Sequence, residues 1–504
     1  MARNLDNEPQ LAVADIQGDV LVGLPKRHEH LMFFRISDAE KFKVFLKTLA
    51  ITSAQECLDK RAAIAANKAR GDETLIPTPG LNVALSFSGM QALSIGGGLP
   101  DDLGAFQNGM AASQAALGDP PSGNWEVLRP NNNLHGVFVL TGASHAEVVD
   151  IITLRLAPPA ASGFEILHEE IGQVRPDPVR GHEHFGYADG VSQPGVRGTV
   201  APGVPLTART GTDEDQGAPG QDLLWPGEFV FGYPEQKFDR NSDNNSFTEK
   251  GDVKEPPIPF MKNGAFLVFR RLAQLVPEFD ASVKSAAMSI GGDSDKASAD
   301  LLGAQLVGRW KSGAPLELAS TADNPDFAEN TLFANAFEFG EDREGVKCPW
   351  AAHIRKAYPR DDVRHDTAPS EQAISNAEAF TQTHRMLRRG IAFGPELTEQ
   401  EALEQQSAGG QETRGLLFKC YVTSIEEQFE FVQQQWVNAG DFSQPESGVD
   451  AIIGQSNDEQ RPFLGAAPVS EQAANKPHFM LKGFVRMQGG GYFFTPSISA
   501  LKEL

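Results

Sequence analysis

The feature that most restricts the fold is a unit that occurs twice: an aromatic strand ending in Phe-Arg, a short turn, then a helix. The first copy runs through Leu31-Met32-Phe33-Phe34-Arg35-Ile36 into Ser37-Asp38-Ala39-Glu40, an N-cap followed by an acidic first turn. Phe42, Phe45, Leu46 and Leu49 give that helix one apolar face. The second copy runs through Gly264-Ala265-Phe266-Leu267-Val268-Phe269-Arg270 into a helix over Val276–Ala287, with Phe279, Val283 and Ala286 on one face. Further strands are expected at Gly18–Val22, Leu81–Phe87 and Gly136–Thr141 in the first half, and at Gly415–Tyr421 and Phe484–Met487 in the second. Helices are expected at Ala146–Leu154 and Ile425–Trp436.

An α+β chain follows, each half an antiparallel sheet with peripheral helices. Its 504 residues divide into an N-terminal domain over 1–196, a connector over 197–260 and a C-terminal domain over 261–504. The connector is rich in Gly, Pro, Asp and Asn, as in Gly211–Asp215 and Asp239–Asn245. The net charge of −23 argues against nucleic acid and anionic membranes as partners. Cys57, Cys348 and Cys420 are too few for a disulfide framework and are expected as free, buried thiols. No apolar run is long enough to span a membrane. Met1–Asp6 lacks a signal peptide's apolar core, which leaves an intracellular protein or a removed leader as alternatives.

Three segments carry chemistry. In Gly181-His182-Glu183-His184-Phe185-Gly186-Tyr187-Ala188-Asp189-Gly190, glycines bracket Asp189, so this side chain is either an acid–base group on a tight loop or part of an Asp-Gly turn. His182 and His184 could begin a metal site, but no third ligand stands at convincing spacing. In Cys348-Pro349-Trp350-Ala351-Ala352-His353-Ile354-Arg355-Lys356, small residues before His353 would let a flat cofactor approach, and a neutral imidazole is a common iron ligand. Arg355 follows as a candidate partner for anionic groups on such a cofactor. In His384-Arg385-Met386-Leu387-Arg388-Arg389-Gly390, three arginines are expected on a short helix, and one pointing inward needs a purpose.

Together these segments resemble the dye-decolourising peroxidases, most closely the fungal members. Gly186-Tyr187-Ala188-Asp189-Gly190 is similar to their Gly-x-x-Asp-Gly signature, His353 stands where their proximal haem ligand lies, and Arg388 stands at their distal arginine. The segments Gly308–Gly313, Gly415–Phe418 and Gln435–Asn438 agree as well, so the resemblance covers nearly the whole chain in order.

The resemblance implies two ferredoxin-like halves with haem b held in the second. It implies a peroxidase that reduces hydrogen peroxide and oxidises dyes, phenols and other bulky aromatics. Asp189 and Arg388 would act on peroxide, Asp450 would brace His353, and Leu416 and Phe418 would narrow access. Trp436, beside Gln433–Gln435, matches a surface tryptophan for long-range electron transfer. Phe393 stands where some relatives carry Tyr, which puts a relay at that position in doubt. Tyr358 offers a second surface exit. Asp361, Asp362 and Asp366 after it form either a Mn(II) site or a solvated acidic loop. Secretion is implied by the resemblance, and a monomer or homodimer is expected.

Overall fold

The computed structural model describes residues 8–504 except 96, 98, 101–102, 131–132, 157, 200–220, 247, 290–295, 336, 363–369, 409–412, 456–459 and 466–477. Nine strands form one mixed-length antiparallel sheet. In chain order they are β1 (His28–Ile36), β2 (Gly80–Leu85), β3 (Gly136–Gly142), β4 (Phe164–Gln173), β5 (Ala265–Gln274), β6 (Leu387–Arg388), β7 (Ile391–Phe393), β8 (Gly415–Val422) and β9 (Val485–Thr495). The first half is ordered β2-β3-β1-β4. The second half has β6 and β7 side by side against β8, then β5, then β9. Counting within each half, both orders are 2-3-1-4, with a helix after the first strand and a helical segment after the third. That is the ferredoxin-like arrangement twice over, as the resemblance implied, and each half is the sheet with peripheral helices that the repeated strand–helix unit predicted.

The halves join where Phe494 of β9 pairs with Leu85 of β2. At the far edges β4 meets β7, where a side chain on Gly172 would collide with Ile391. The sheet therefore curls until its two ends touch, leaving neither as an open edge. Alternation along the strands then separates two cores. Met32, Phe34, Phe266 and Val268 face outward against the helices, with Phe34 and Phe138 stacked at 4.5 Å between ring centroids. Leu31, Phe33, Leu267, Phe269, Leu417 and Phe493 face inward and meet one another.

The inside of the curl also holds charge. Lys419 of β8 donates to Asp19 Oδ2 at 2.9 Å and to Glu29 Oε2 at 3.0 Å, and the Tyr421 hydroxyl donates to Asp19 Oδ2 at 3.0 Å. Burial alone would push the Asp19 carboxyl up. The surrounding Lys419, Lys26 and Arg389 cations outweigh it and hold the group well below the carboxylate range.

This cluster explains one departure from the sequence reading. Gly18–Leu21 is a helical turn, not a strand. The turn delivers Asp19 inward, where its Oδ1 accepts the Leu24 N–H at 3.1 Å, and a strand–turn–strand path would forfeit those bonds. The arginine-rich segment also departs: it is a turn leading into β6, because Leu387 and Arg388 pair with Tyr421 and Cys420 of β8. Phe87 starts a helix, and β9 runs on from Met487 to Thr495. Ile425–Val437 is helical as expected, but in π form. Of the connector loops, Asp239–Asn245 is described and folded around Asn245, while Gly211–Asp215 lies outside the described residues. Cys57, Cys348 and Cys420 are buried and unbridged. Among the described residues, no helix is long and apolar enough to cross a membrane.

Replacing Lys419 leaves two buried carboxylates short of a counter-charge. Lys419→Met should cost about 3–5 kcal/mol in urea unfolding, and adding Asp19→Asn should recover part of it. A loss no larger than that of a surface substitution, about 0.5 kcal/mol, would contradict this account of the inner core.

Candidate active site

A cavity of about 270 Å³ opens on the outer face of the second half, walled by residues from several distant segments. Asp189, Arg388 and His353 all line it, as do Leu416, Phe418, Gly390, Tyr358, Arg309 and Arg360.

The loop carrying Asp189 is shaped from within. Gly186 and Gly190 have φ of +93° and +72°, the left-handed region where a side chain is strained. Half-buried Glu183 accepts the Phe185 and Tyr187 N–H groups, each at 2.8 Å, and Gln274 Nε2 donates to it at 2.5 Å. Burial raises the Glu183 carboxyl above its ordinary range in spite of these donors. Asp189 N–H donates to Gly181 O at 2.9 Å, and the Asp189 carboxylate accepts the Gly190 N–H at 2.7 Å.

Arg388 is tied to the same loop. Its Nη2 donates to Ser192 O at 2.6 Å. Gln193 grips the Arg388 backbone from both sides, accepting its N–H and donating to its carbonyl, both at 3.2 Å. Asn335 completes the brace, donating to Val191 O at 2.8 Å and accepting from Ser192 Oγ at 2.7 Å. The acid and the guanidinium are therefore set relative to one another by hydrogen bonds, although nearly two hundred residues separate them.

His353 opens a helical turn, His353–Ala357. Its Nδ1 lies 2.8 Å from Oδ2 of fully buried Asp450, whose Oδ1 accepts the Ile452 and Ile453 N–H groups at 2.8 Å each. Burial disfavours charge on both partners, yet the pair outweighs it: the imidazole is raised and the carboxyl lowered. With Nδ1 engaged, Nε2 is the ring's open nitrogen, and 30% of the side chain is exposed to the cavity it lines.

The cavity also gathers positive charge. Arg309 is pushed down to about 9, first by burial and then by Arg360 and Arg388. Neither Arg309 nor Arg388 has a carboxylate partner among the described residues. Arg360 gives Nη1 to the Asn335 and Phe337 carbonyls, at 3.0 Å each, and holds a strained φ of +57°. A dianionic cofactor edge suits such a cluster. Sequence reading missed both residues, although Arg309 lies inside Gly308–Gly313 and Arg360 immediately precedes Asp361.

Several expected roles are corrected. Arg355 does not face the cavity: its five N–H groups go to Asp362, Asp342 and the Cys348 and Asp342 carbonyls. Asp362 is thus spent on Arg355 and the Ser443 hydroxyl, and Asp361 accepts the Phe339 and Gly340 N–H groups. Both carboxylates are 6% exposed, so they form neither an acidic surface loop nor a free Mn(II) site, and Asp366 lies outside the described residues. Trp436 is 2% exposed, stacked on Phe442 with 5.5 Å between centroids, and Tyr358 is 9% exposed. Neither is a surface residue. Leu416 and Phe418 stand in the cavity wall.

His182 and His184 spend their ring nitrogens on backbone carbonyls, His184 on Phe393 O at 2.9 Å and His182 on Arg180 O and Lys311 O. Among the described residues no three metal-binding side chains converge. A braced imidazole open to a cation-rich cavity suits the binding of a haem-like cofactor. Comparison with known proteins agrees. The family model described as the DyP dimeric alpha+beta barrel domain matches residues 15–176. The dye-decolorizing peroxidase msp1 of Mycetinis scorodonius is 33% identical over 516 residues, spanning 100% of this chain and 89% of that protein. A solved ancestral D-type dye-decolorizing peroxidase is 34% identical with a TM-score of 0.80, covering 98% of this chain and 99% of its own. A dye-decolorizing peroxidase solved in complex with 2,6-dimethoxyphenol is 33% identical with a TM-score of 0.74 over the same shares. The chain belongs to the dye-decolourising peroxidase family. It is an oxidoreductase that uses hydrogen peroxide, with haem as its cofactor.

Because Arg355 is a buried structural cation, Arg355→Met should lower the apoprotein's stability by about 3–5 kcal/mol and leave the haem affinity of the folded fraction unchanged. Urea unfolding and a haem titration separate the two effects. Weakened haem binding at unchanged stability would return Arg355 to the cofactor.

Proposed function

We propose that Asp189, Arg388, His353 and Asp450 carry the peroxidase reaction of this chain, and that its reductants are bulky phenols and dyes. The observation that bears most weight is the His353–Asp450 pair opening into the cavity that Asp189 and Arg388 share. Haem, when bound, supplies an iron at which peroxide is reduced and which stores oxidising equivalents.

The chain's own groups have distinct tasks. His353 Nε2 would hold the iron. Asp450, accepting from Nδ1–H, fixes the ring and makes it a stronger donor. Arg309 and Arg360 would neutralise the cofactor's two carboxylates. Asp189 takes a proton from one peroxide oxygen and returns it to the other, so that water can leave. Arg388 stabilises the negative charge that develops on the departing oxygen. Its guanidinium is already oriented by Ser192 and its backbone by Gln193, so little reorganisation is needed.

Leu416 and Phe418 narrow the cavity wall, which favours peroxide over large organic molecules at the iron. Bulky reductants then have to deliver electrons from outside. Buried Trp436 and His384 with half-buried Phe442 and Phe431, His384 and Phe431 stacked at 3.9 Å, support an internal relay in place of an exposed tryptophan. A relative bound to 2,6-dimethoxyphenol supports phenols as donors.

Asp189→Asn should lower kcat/KM for peroxide by roughly 10²–10⁴-fold, the contribution of a positioned acid–base group. The haem Soret band should keep its wild-type intensity. Arg388→Leu should lower the same constant by roughly 10²–10³-fold. Stopped-flow mixing of each loaded variant with peroxide reads both effects. Full activity in Asp189→Asn would remove this residue from the mechanism.

A further inference from the structure

We propose that Tyr358 is a redox-active side chain of the cavity wall, oxidised with simultaneous transfer of its phenolic proton to Asp222. This rests on the peroxidase reading, which supplies the oxidant.

Tyr358 lines the cavity next to Ala357, on the turn that begins with His353. Its hydroxyl donates to Asp222 Oδ2 at 3.2 Å inside the protein, and Asp222 is 4% exposed. Two cations bear on the ring. The Arg385 guanidinium carbon lies 3.5 Å from the ring centroid and that of Arg360 lies 5.1 Å away. Arg385 Nη2 also stands 3.7 Å from Asp222 Oδ2. Arg385 Nε and Nη1 are buried without a hydrogen-bond partner among the described residues, so the charge bears on the ring and on Asp222.

This surrounding forbids one route and opens another. Removing an electron alone would leave a radical cation in a buried site beside two guanidiniums, a strongly repulsive arrangement. Removing the electron and the proton together leaves a neutral ring. Asp222 stands beside Arg385 and within hydrogen-bond reach of the hydroxyl, and a carboxylate so placed can take that proton.

The step balances. The Tyr358 O–H bond breaks, the electron goes to the peroxide-oxidised cofactor in the cavity, and the proton goes to Asp222 Oδ2. The products are a neutral tyrosyl radical and a protonated Asp222. An outside phenol then returns an electron to the ring while Asp222 returns the proton, which restores the resting pair. Tyr358 thereby holds one oxidising equivalent off the cofactor, and Asp222 is its proton acceptor.

The test is freeze-quench electron paramagnetic resonance of the haem-loaded enzyme after stoichiometric peroxide, with ring-deuterated tyrosine to identify tyrosyl signals. Peroxide consumption is followed in the same samples. Wild type should give a tyrosyl signal that Tyr358→Phe removes. Asp222→Asn should cut it by about tenfold or more, and Asp222→Glu, which keeps a proton acceptor, should restore much of it. Peroxide consumption should persist in all four proteins. A signal that survives in Tyr358→Phe, or full intensity in Asp222→Asn, overturns the proposal while the peroxidase reading stands. Absence of peroxide consumption by wild type overturns that reading, and this proposal falls with it.

Discussion

Lys419 holds the two halves of the molecule in register, and much of the site depends on it. It projects from β8 of the second half to carboxylates contributed by β1 of the first half and by the N-terminal turn. The same strand builds the cavity: Phe418, one residue before Lys419, and Leu416, two further back, line it. A period of two thus divides one strand between an ionic lock inside and a reaction chamber outside. Arg389 extends the link. It donates to the Asp19 and Leu21 carbonyls and to Arg388 O, so the backbone that carries Arg388 is anchored to the N-terminal turn.

Second-half elements supply most of the cavity wall, and the chain following the first half's last strand supplies its acid. Asp189 reaches the cavity on a loop after β4, and β4 is also the strand that closes the curl against β7. Arg388 lies in β6, just before β7, so sheet closure itself brings the loop and the arginine together. Ser192, Gln193 and Asn335 then fix their relative placement. The geometry belongs to the assembled barrel and to no single segment.

This division explains what could be read from the sequence. The doubled strand–helix unit was legible because its hydrophobic period is local. Asp189, Arg388, His353 and Asp450 were singled out through the resemblance to a family, since the local segments alone left other readings open. Arg355 was misread from its nearness to His353 along the chain. Residues two apart on a helix point about 200° from one another, so Arg355 faces away while Ala357, four apart, shares the face of His353. Trp436 was misread from three glutamines beside it. Gln433 is buried and bonds Asn438 at 2.9 Å, and the π-helical path shifts the faces that an α-helical period assigns. The acidic doublet Asp361–Asp362 is neither the Mn(II) site nor the solvated loop that its sequence suggested, because its partners, Arg355 and two backbone N–H groups, are set by tertiary packing.

The distribution of charge argues for the cofactor independently of any motif. The chain carries a net −23, yet Arg309, Arg360 and Arg388 collect at one cavity, and the first and last lack a carboxylate partner among the described residues. Several other buried cations do have carboxylates: Lys419 has Asp19 and Glu29, Arg355 has Asp342 and Asp362, and Arg414 has Glu401. Guanidiniums do not relieve such crowding by losing protons. The cost is therefore carried as reduced stability until an anion arrives. A ligand that brings two carboxylates to these arginines binds only the folded state, and it raises stability by an amount that grows with its concentration over its Kd. Cofactor binding at this cavity would in this way be coupled to folding.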